Sequence, residues 1–166
     1  MKAFEWYKLS AELGECPCAA CNLAECYQEG TVCRKDLKEA FKWYKLAAKK
    51  YYPEAQYQLA NCYLLGEGCD PDPKASFAQF KKAAENNHST AQCNVGVLLQ
   101  TGLGTEENLD EAFKWFKRSA AQNFYPACFF DSECYAKGLG VKKDPDKAEY
   151  WHQKGIELQL KGEKRS

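Results

Sequence analysis

Four glycines, Gly30, Gly66, Gly102 and Gly138, stand 36 residues apart without slippage, and each is followed six residues later by Asp36, Asp72, Asn108 or Asp144. A fixed period of this size marks stacked supersecondary units, each too small to bury its own apolar face. The residue types name the elements. Aspartate and asparagine cap helix N-termini, and glycine closes helix C-termini in a left-handed conformation. The six-residue interval is therefore one reused turn between a helix stop and a helix start.

The caps come in two forms. Asp36 with Glu39 and Asn108 with Glu111 are capping-box arrangements. Asp72-Pro73 and Asp144-Pro145 place proline at the first helical position instead. Between cap and glycine the apolar residues follow helical spacing twice. In the second unit, Ala40, Tyr44, Ala47 and Tyr51 lie on one stripe of a first helix, beside Phe41 and Ala48. Ala55, Leu59, Cys62 and Tyr63 form the inward stripe of a second. The small pair Ala47-Ala48 recurs as Ser10-Ala11, Ala83-Ala84 and Ser119-Ala120, which allows a second helix close approach. A further glycine follows the helix stop in three units, as Gly68, Gly104 and Gly140.

The spacing predicts an all-α solenoid of four helical hairpins, with first helices over 3–13, 37–50, 73–86 and 109–122. Second helices are expected over 17–29, 54–65, 89–101 and 126–137, and a C-terminal capping helix over 145–160. The repeats run approximately 1–35, 36–71, 72–107 and 108–143 in a single array to residue 160, followed by a basic tail, 161–166. The capping helix breaks the pattern: the aromatic column Tyr7, Tyr44, Phe80, Phe116 ends in His152, and the small pair becomes Gly155-Ile156. Projected back 36 residues, the Asp36 column falls before Met1, so the first helix is expected to lack a cap and the chain to be a piece of a longer array.

These columns resemble the Sel-1-like repeat family, a relative of the tetratricopeptide repeat. The resemblance is carried by Ala40-Phe41-x-Trp43-Tyr44-x-x-Ala47-Ala48, by Ala55-Gln56-Tyr57-x-Leu59-Ala60, and by Gly66-x-Gly68 with the Asp-x-x-x-Ala start of the next helix. It spans Ala3 to about Gly155. It implies a right-handed superhelix of α/α hairpins and a role as adaptor or scaffold in multiprotein complexes.

Composition narrows the partner. Lys+Arg and Asp+Glu number 23 each, so there is no net charge to attract nucleic acid or an anionic membrane. No apolar run approaches a bilayer span. An amphipathic pattern begins within two residues of Met1 in place of a signal peptide, so a cytoplasmic location with reduced thiols is expected. The partner expected is a protein or peptide, with no cofactor.

Surface columns are the candidate sites. Trp6, Trp43, Trp115 and Trp151 form one, interrupted by Gln79 and lying at the edge of the apolar stripe. It reads either as inter-repeat packing or as a row of aromatic anchors for a partner. Lys8, Lys45, Lys81 and Lys117 form a neighbouring column, either solvating the helices or making a basic stripe for an acidic or phosphorylated peptide.

Ten cysteines follow the repeat as well. Cys26, Cys62 and Cys134 share a column, and Cys33 and Cys69 another; Leu98 and Val141 elsewhere in these columns indicate burial. They are either small hydrophobes or two bridges, Cys26–Cys33 and Cys62–Cys69. Cysteine-rich members of the resembled family pair a cysteine at the end of each first helix with one early in the second. Here the first place is Ala11, Ala48, Ala84 or Ala120, and only the later is cysteine, at Cys21, Cys93 and Cys128. Cys16, Cys18, Cys21 and Cys26 lack the two separated pairs of a zinc site, since Cys21 and Cys26 diverge on a helix. No basic residue adjoins Cys16, Cys18 or Cys21 in sequence to activate a thiol. The two histidines, His88 in an inter-helix turn and His152 on the capping helix, complete no catalytic order. An interaction scaffold is therefore the leading reading. A secreted or organellar disulfide-stabilised repeat protein, and a thiol-dependent enzyme or metal carrier, stand as alternatives.

Overall fold

The computed structural model describes residues 2–14 and 16–163, apart from the side chains of Lys2 and Glu163. Among these residues are nine helices and no strand: α1 (Lys2–Leu13), α2 (Pro17–Glu29), α3 (Leu37–Ala48), α4 (Pro53–Leu65), α5 (Pro73–Glu85), α6 (Ser89–Thr101), α7 (Leu109–Ala121), α8 (Tyr125–Lys137) and α9 (Pro145–Glu163). They fall into two compact units, Met1–His88 with α1–α5 and Ser89–Ser166 with α6–α9. The expected bounds hold closely, except that α9 continues past residue 160 to Glu163. No described helix is long and apolar enough to cross a membrane. The expected absence of a cap on α1 concerns Met1, and the end of the basic tail concerns residues 164–166; both lie outside the described residues.

The inter-hairpin turn is the same object each time. Gly30, Gly66, Gly102 and Gly138 all adopt left-handed φ values of 70–77°. The backbone N–H of the following cap residue then donates to a carbonyl nine positions back: Asp36 to Tyr27 at 2.9 Å, Asp72 to Tyr63 at 2.8 Å, Asn108 to Leu99 at 2.8 Å and Asp144 to Tyr135 at 3.0 Å. The cap side chains accept from first-turn amides as expected, Asp36 from Lys38 and Glu39, Asn108 from Glu111. The reciprocal half of the capping box is not made. The cap N–H is already committed to the preceding helix, so Glu39 turns to Lys42 and Glu111 accepts from the Trp115 indole.

The second glycine answers a different demand. A Cβ on Gly68 would sit 2.1 Å from the Leu37 carbonyl oxygen, and one on Gly140 2.1 Å from that of Leu109. Each therefore lets the turn lie against the start of its own hairpin's first helix.

Within a hairpin, an edge-to-face pair clasps the two helices: Phe4–Tyr27 at 5.7 Å, Phe41–Tyr63 at 5.3 Å and Phe113–Tyr135 at 5.3 Å. Tyr44, Phe80 and Phe116 are fully buried beside the alanine pairs. Buried glutamines tie α4 to the end of α5 and α6 to the end of α7, Asn86 donating to Gln56 and Gln122 to Gln92.

Tyr51 departs from its expected place on the α3 stripe. It lies beyond the end of α3, 78% exposed, with φ +59°. It belongs instead to a left-handed column with Gly14, Asn87 and Asn123 that turns each first helix into the second. Asparagine tolerates that conformation and tyrosine does so poorly.

Two substitutions check this account by urea unfolding. Gly68→Ala combines a left-handed strain of about 1–2 kcal/mol with a backbone collision and is expected to cost about 3 kcal/mol in total. Tyr51→Asn loses almost no packing and is expected to stabilise by about 1 kcal/mol.

Candidate interaction surface

Helix α3 buries Ala40, Tyr44, Ala47 and Ala48. Its outer side carries an open, predominantly apolar groove lined by Phe41, Lys42, Trp43, Lys45, Leu46 and Lys49. Trp43 is half-buried, and its indole N–H is shielded from solvent without a hydrogen-bond acceptor. The acceptor that could serve it, Glu39 four residues earlier, is held by Lys42 at 3.3 Å. Leu46, three residues after the tryptophan, is 41% exposed. Lys42 and Lys45 are held over rings of the same helix, each 5.7 Å from the centroid of Trp43 or Phe41.

The matching place on α7 is built differently. Trp115 is 5% exposed, and its indole N–H donates to Glu111 at 3.4 Å. Arg118 covers the ring at 4.8 Å. In α9, Lys154 likewise lies 4.6 Å over Trp151. The residue three positions after the tryptophan differs between the two units. It is Arg118 or Lys154 in the second unit and Leu9 or Leu46 in the first. A guanidinium or ammonium there lies over the indole ring. A leucine extends it into an apolar pair, Trp6–Leu9 on α1 (69% and 50% exposed) and Trp43–Leu46 on α3.

The tryptophan column is accordingly not one uniform row: Trp6 is exposed, Trp43 and Trp151 half-buried, Trp115 buried. In the lysine column, Lys8, Lys45 and Lys117 are exposed and Lys81 is half-buried. Lys45 and Lys117 both rest on a phenyl ring four residues earlier, Phe41 and Phe113, so packing fixes part of what looks like a charge stripe.

Neither Cys26–Cys33 nor Cys62–Cys69 is bridged; all four are free thiols. The turn brings Cys33 Sγ onto the Cys26 carbonyl at 3.4 Å and Cys69 Sγ onto the Cys62 carbonyl at 3.6 Å, so each thiol meets a backbone oxygen in place of a sulfur. Burial pushes the thiols of Cys21, Cys62, Cys93 and Cys134 up to about 12, which keeps them protonated and inert. The disulfide present joins Cys16 and Cys18. The histidines are also more engaged than their positions suggest. His88 stacks on Tyr57 at 4.7 Å and meets Glu54 at 3.1 Å, which holds that carboxyl below its usual range. His152 is exposed, edge-on to Phe129 at 5.6 Å, and not in the core.

One buried acidic residue breaks an apolar column. Asp131 is fully buried in α8, and neither carboxylate oxygen has a hydrogen-bond partner. Its column is otherwise Leu23, Leu59 and Val95, so the break in that column was the available signal. Burial raises its pKa to about 6, with Lys117 of α7 and Lys154 of α9 pulling the other way.

Stacked helical hairpins with outward aromatic positions define a helical-repeat scaffold. The chain belongs to the Sel1 repeat family, whose profile matches residues 1–15, 19–52, 53–88, 89–124 and 126–160. It is similar to a Sel1 repeat protein from Oxalobacter formigenes, with 30% identity and a TM-score of 0.87, covering 94% of this chain and 63% of that one. It is also similar to c5321, a protective antigen of uropathogenic Escherichia coli strains with an SLR fold (28% identity, TM-score 0.88, 93% of this chain and 33% of that one). Helicobacter pylori cysteine rich protein B shares the fold at 21% identity and a TM-score of 0.59, covering 78% of this chain and 92% of that one. The chain thus spans less than two thirds of the length of the first two. No curated protein sequence matches it significantly.

Restoring the column leucine tests the cost of Asp131. Its raised pKa means the penalty is absent while the carboxyl is protonated in both states, sets in as pH rises through about 4 and is complete above about 6. Asp131→Leu should therefore stabilise by about 2–3 kcal/mol at pH 8 and by clearly less at pH 4, measured by denaturant unfolding at the two pH values.

Proposed function

We propose that the chain is an adaptor, not an enzyme, and that it holds an acidic protein segment carrying apolar side chains against the outer faces of α3 and α1. The observation that carries this reading is the Trp43–Leu46 pair. It joins a half-buried aromatic anchor to an exposed leucine, set among Lys42, Lys45 and Lys49. Tryptophan is a preferred hot-spot residue because it supplies a large contact area. The three lysines choose the charge of the occupant, and their attraction is expected to weaken as salt is raised. Trp6 and Leu9 with Lys8 repeat the arrangement on α1. Membership of a helical-repeat scaffold family agrees with a surface-presenting role.

Nitrogen-labelled protein titrated with a short synthetic Glu/Leu peptide tests this directly, because the four indole N–H signals report separately. The Trp43 signal is expected to shift with saturation and that of Trp115, already bonded to Glu111, to stay. Trp43→Ala and Leu46→Lys should each weaken binding about tenfold, and raising salt should weaken it in the wild type. Shifts confined to Trp115 and Trp151, or an unchanged affinity in Leu46→Lys, would overturn the assignment.

A further inference from the structure

The turn between α1 and α2 departs from the repeat. Ala11 to Pro17 is six positions, whereas Ala48 to Pro53, Ala84 to Ser89 and Ala120 to Tyr125 are each five. Gly14 holds the left-handed place filled elsewhere by Tyr51, Asn87 and Asn123. The residue before the second helix is Cys16, where the other hairpins have Tyr52, His88 and Phe124. Cys16 is bonded to Cys18 in the first turn of α2, with a Cα–Cα distance of 5.3 Å. Both cysteines are only half-buried, unlike Cys21 one turn further along α2.

A staple is a poor explanation for this bond. A bridge between residues two apart closes almost no chain, so it restrains the unfolded state less than any longer loop. Its surroundings suit sulfur chemistry better. Cys16 is the N-cap of α2 and makes no side-chain cap hydrogen bond, and the first turn of α2 has no acidic residue. The unsatisfied amides and the helix dipole there favour a thiolate. Lys50, just beyond α3, donates to the Gly14 carbonyl and lines the same small cleft as Cys16 and Pro17. The positive neighbour missing from the local sequence is thus delivered from the next hairpin, and the combination is what lowers a cysteine's pKa and activates it. Cys21 is excluded from the exchange by burial, which keeps it protonated.

We infer that Cys16 and Cys18 form a thiol–disulfide exchange couple for small peptide thiols of the glutathione type, with Cys16 carrying the mixed disulfide. In the reducing direction a thiolate attacks Cys16 Sγ, the bond to Cys18 breaks, and the electron pair leaves on Cys18 Sγ, which takes a proton. A second thiolate attacks the outer sulfur of the mixed disulfide and releases Cys16 as a thiolate, which takes the second proton. The bridge gains two electrons and two protons while two thiols become one small-molecule disulfide. The oxidising direction is the reverse, with that disulfide as oxidant.

The test equilibrates the full chain in buffers of stepped reduced-to-oxidised glutathione ratio, followed by acid quenching, alkylation and peptide mass mapping. The Cys16–Cys18 pair should pass reversibly from dithiol to disulfide within the series while Cys21, Cys62, Cys93 and Cys134 remain thiols. Cys18→Ser should trap glutathione on Cys16 in preference to the half-buried Cys33 and Cys69. Lys50→Gln in that background should slow the trapping at least about threefold, with the helical circular-dichroism spectrum unchanged. A pair that stays dithiol under excess oxidised glutathione, or disulfide under excess reduced glutathione, overturns the couple. So does glutathione spread evenly over Cys16, Cys33 and Cys69, and a trapping rate insensitive to Lys50→Gln overturns the activation by its charge. Each readout is independent of peptide binding at α3.

Discussion

The whole arrangement depends on one turn. A left-handed glycine ends the second helix of a hairpin, and six residues later an Asp or Asn starts the next first helix. Between them, the cap's backbone N–H reaches back to a carbonyl of the helix just finished. That hydrogen bond fixes where the next helix begins relative to the last. Once it is set, the alanine pairs, the Phe–Tyr clasps and the buried glutamines fall into register at the same period. It also consumes the donor that a capping box would use, which frees Glu39 and Glu111 for other partners. Their different choices then separate Trp43 from Trp115: Glu111 satisfies its indole, while Glu39 is drawn away by Lys42.

A repeat scaffold makes departures informative, because the other hairpins show what the position ordinarily requires. Leu9 and Leu46 stand where Arg118 and Lys154 cover their tryptophans, and this leaves apolar surface on the first unit. Asp131 stands where leucine or valine fills the core, at a cost in stability that no hydrogen bond relieves and that the charges of Lys117 and Lys154 offset only in part. The longer α1–α2 turn replaces an aromatic with Cys16 and carries the disulfide. Each is a local break in a ladder that otherwise explains itself.

Much of this was legible in the chain. The glycine and cap columns located the helices to within a few residues, since these residue types have few other uses at helix ends. The tryptophan and lysine columns were visible too, but not their exposure. Exposure depends on how the neighbouring side chains and helices pack around each ring, and a column of identical residues does not reveal that. The cysteine columns placed Cys33 beside Cys26 and Cys69 beside Cys62 correctly. Spacing could not decide whether sulfur would meet sulfur or a carbonyl, because that rests on side-chain direction within the turn. The Gly14, Tyr51, Asn87, Asn123 column is not visible in the sequence because its residue types differ, although they share one backbone conformation.

By itself the sequence determined the α/α repeat, its period and its helix boundaries, because these follow from local backbone chemistry: capping, left-handed glycine and apolar periodicity. The tertiary structure alone decided which surface is apolar, which thiols are inert and which charge stands beside Cys16. Those outcomes depend on groups brought together from different helices, such as Lys50 reaching Gly14 from the next hairpin and Lys117 and Lys154 flanking Asp131. Only packing sets the distances between them.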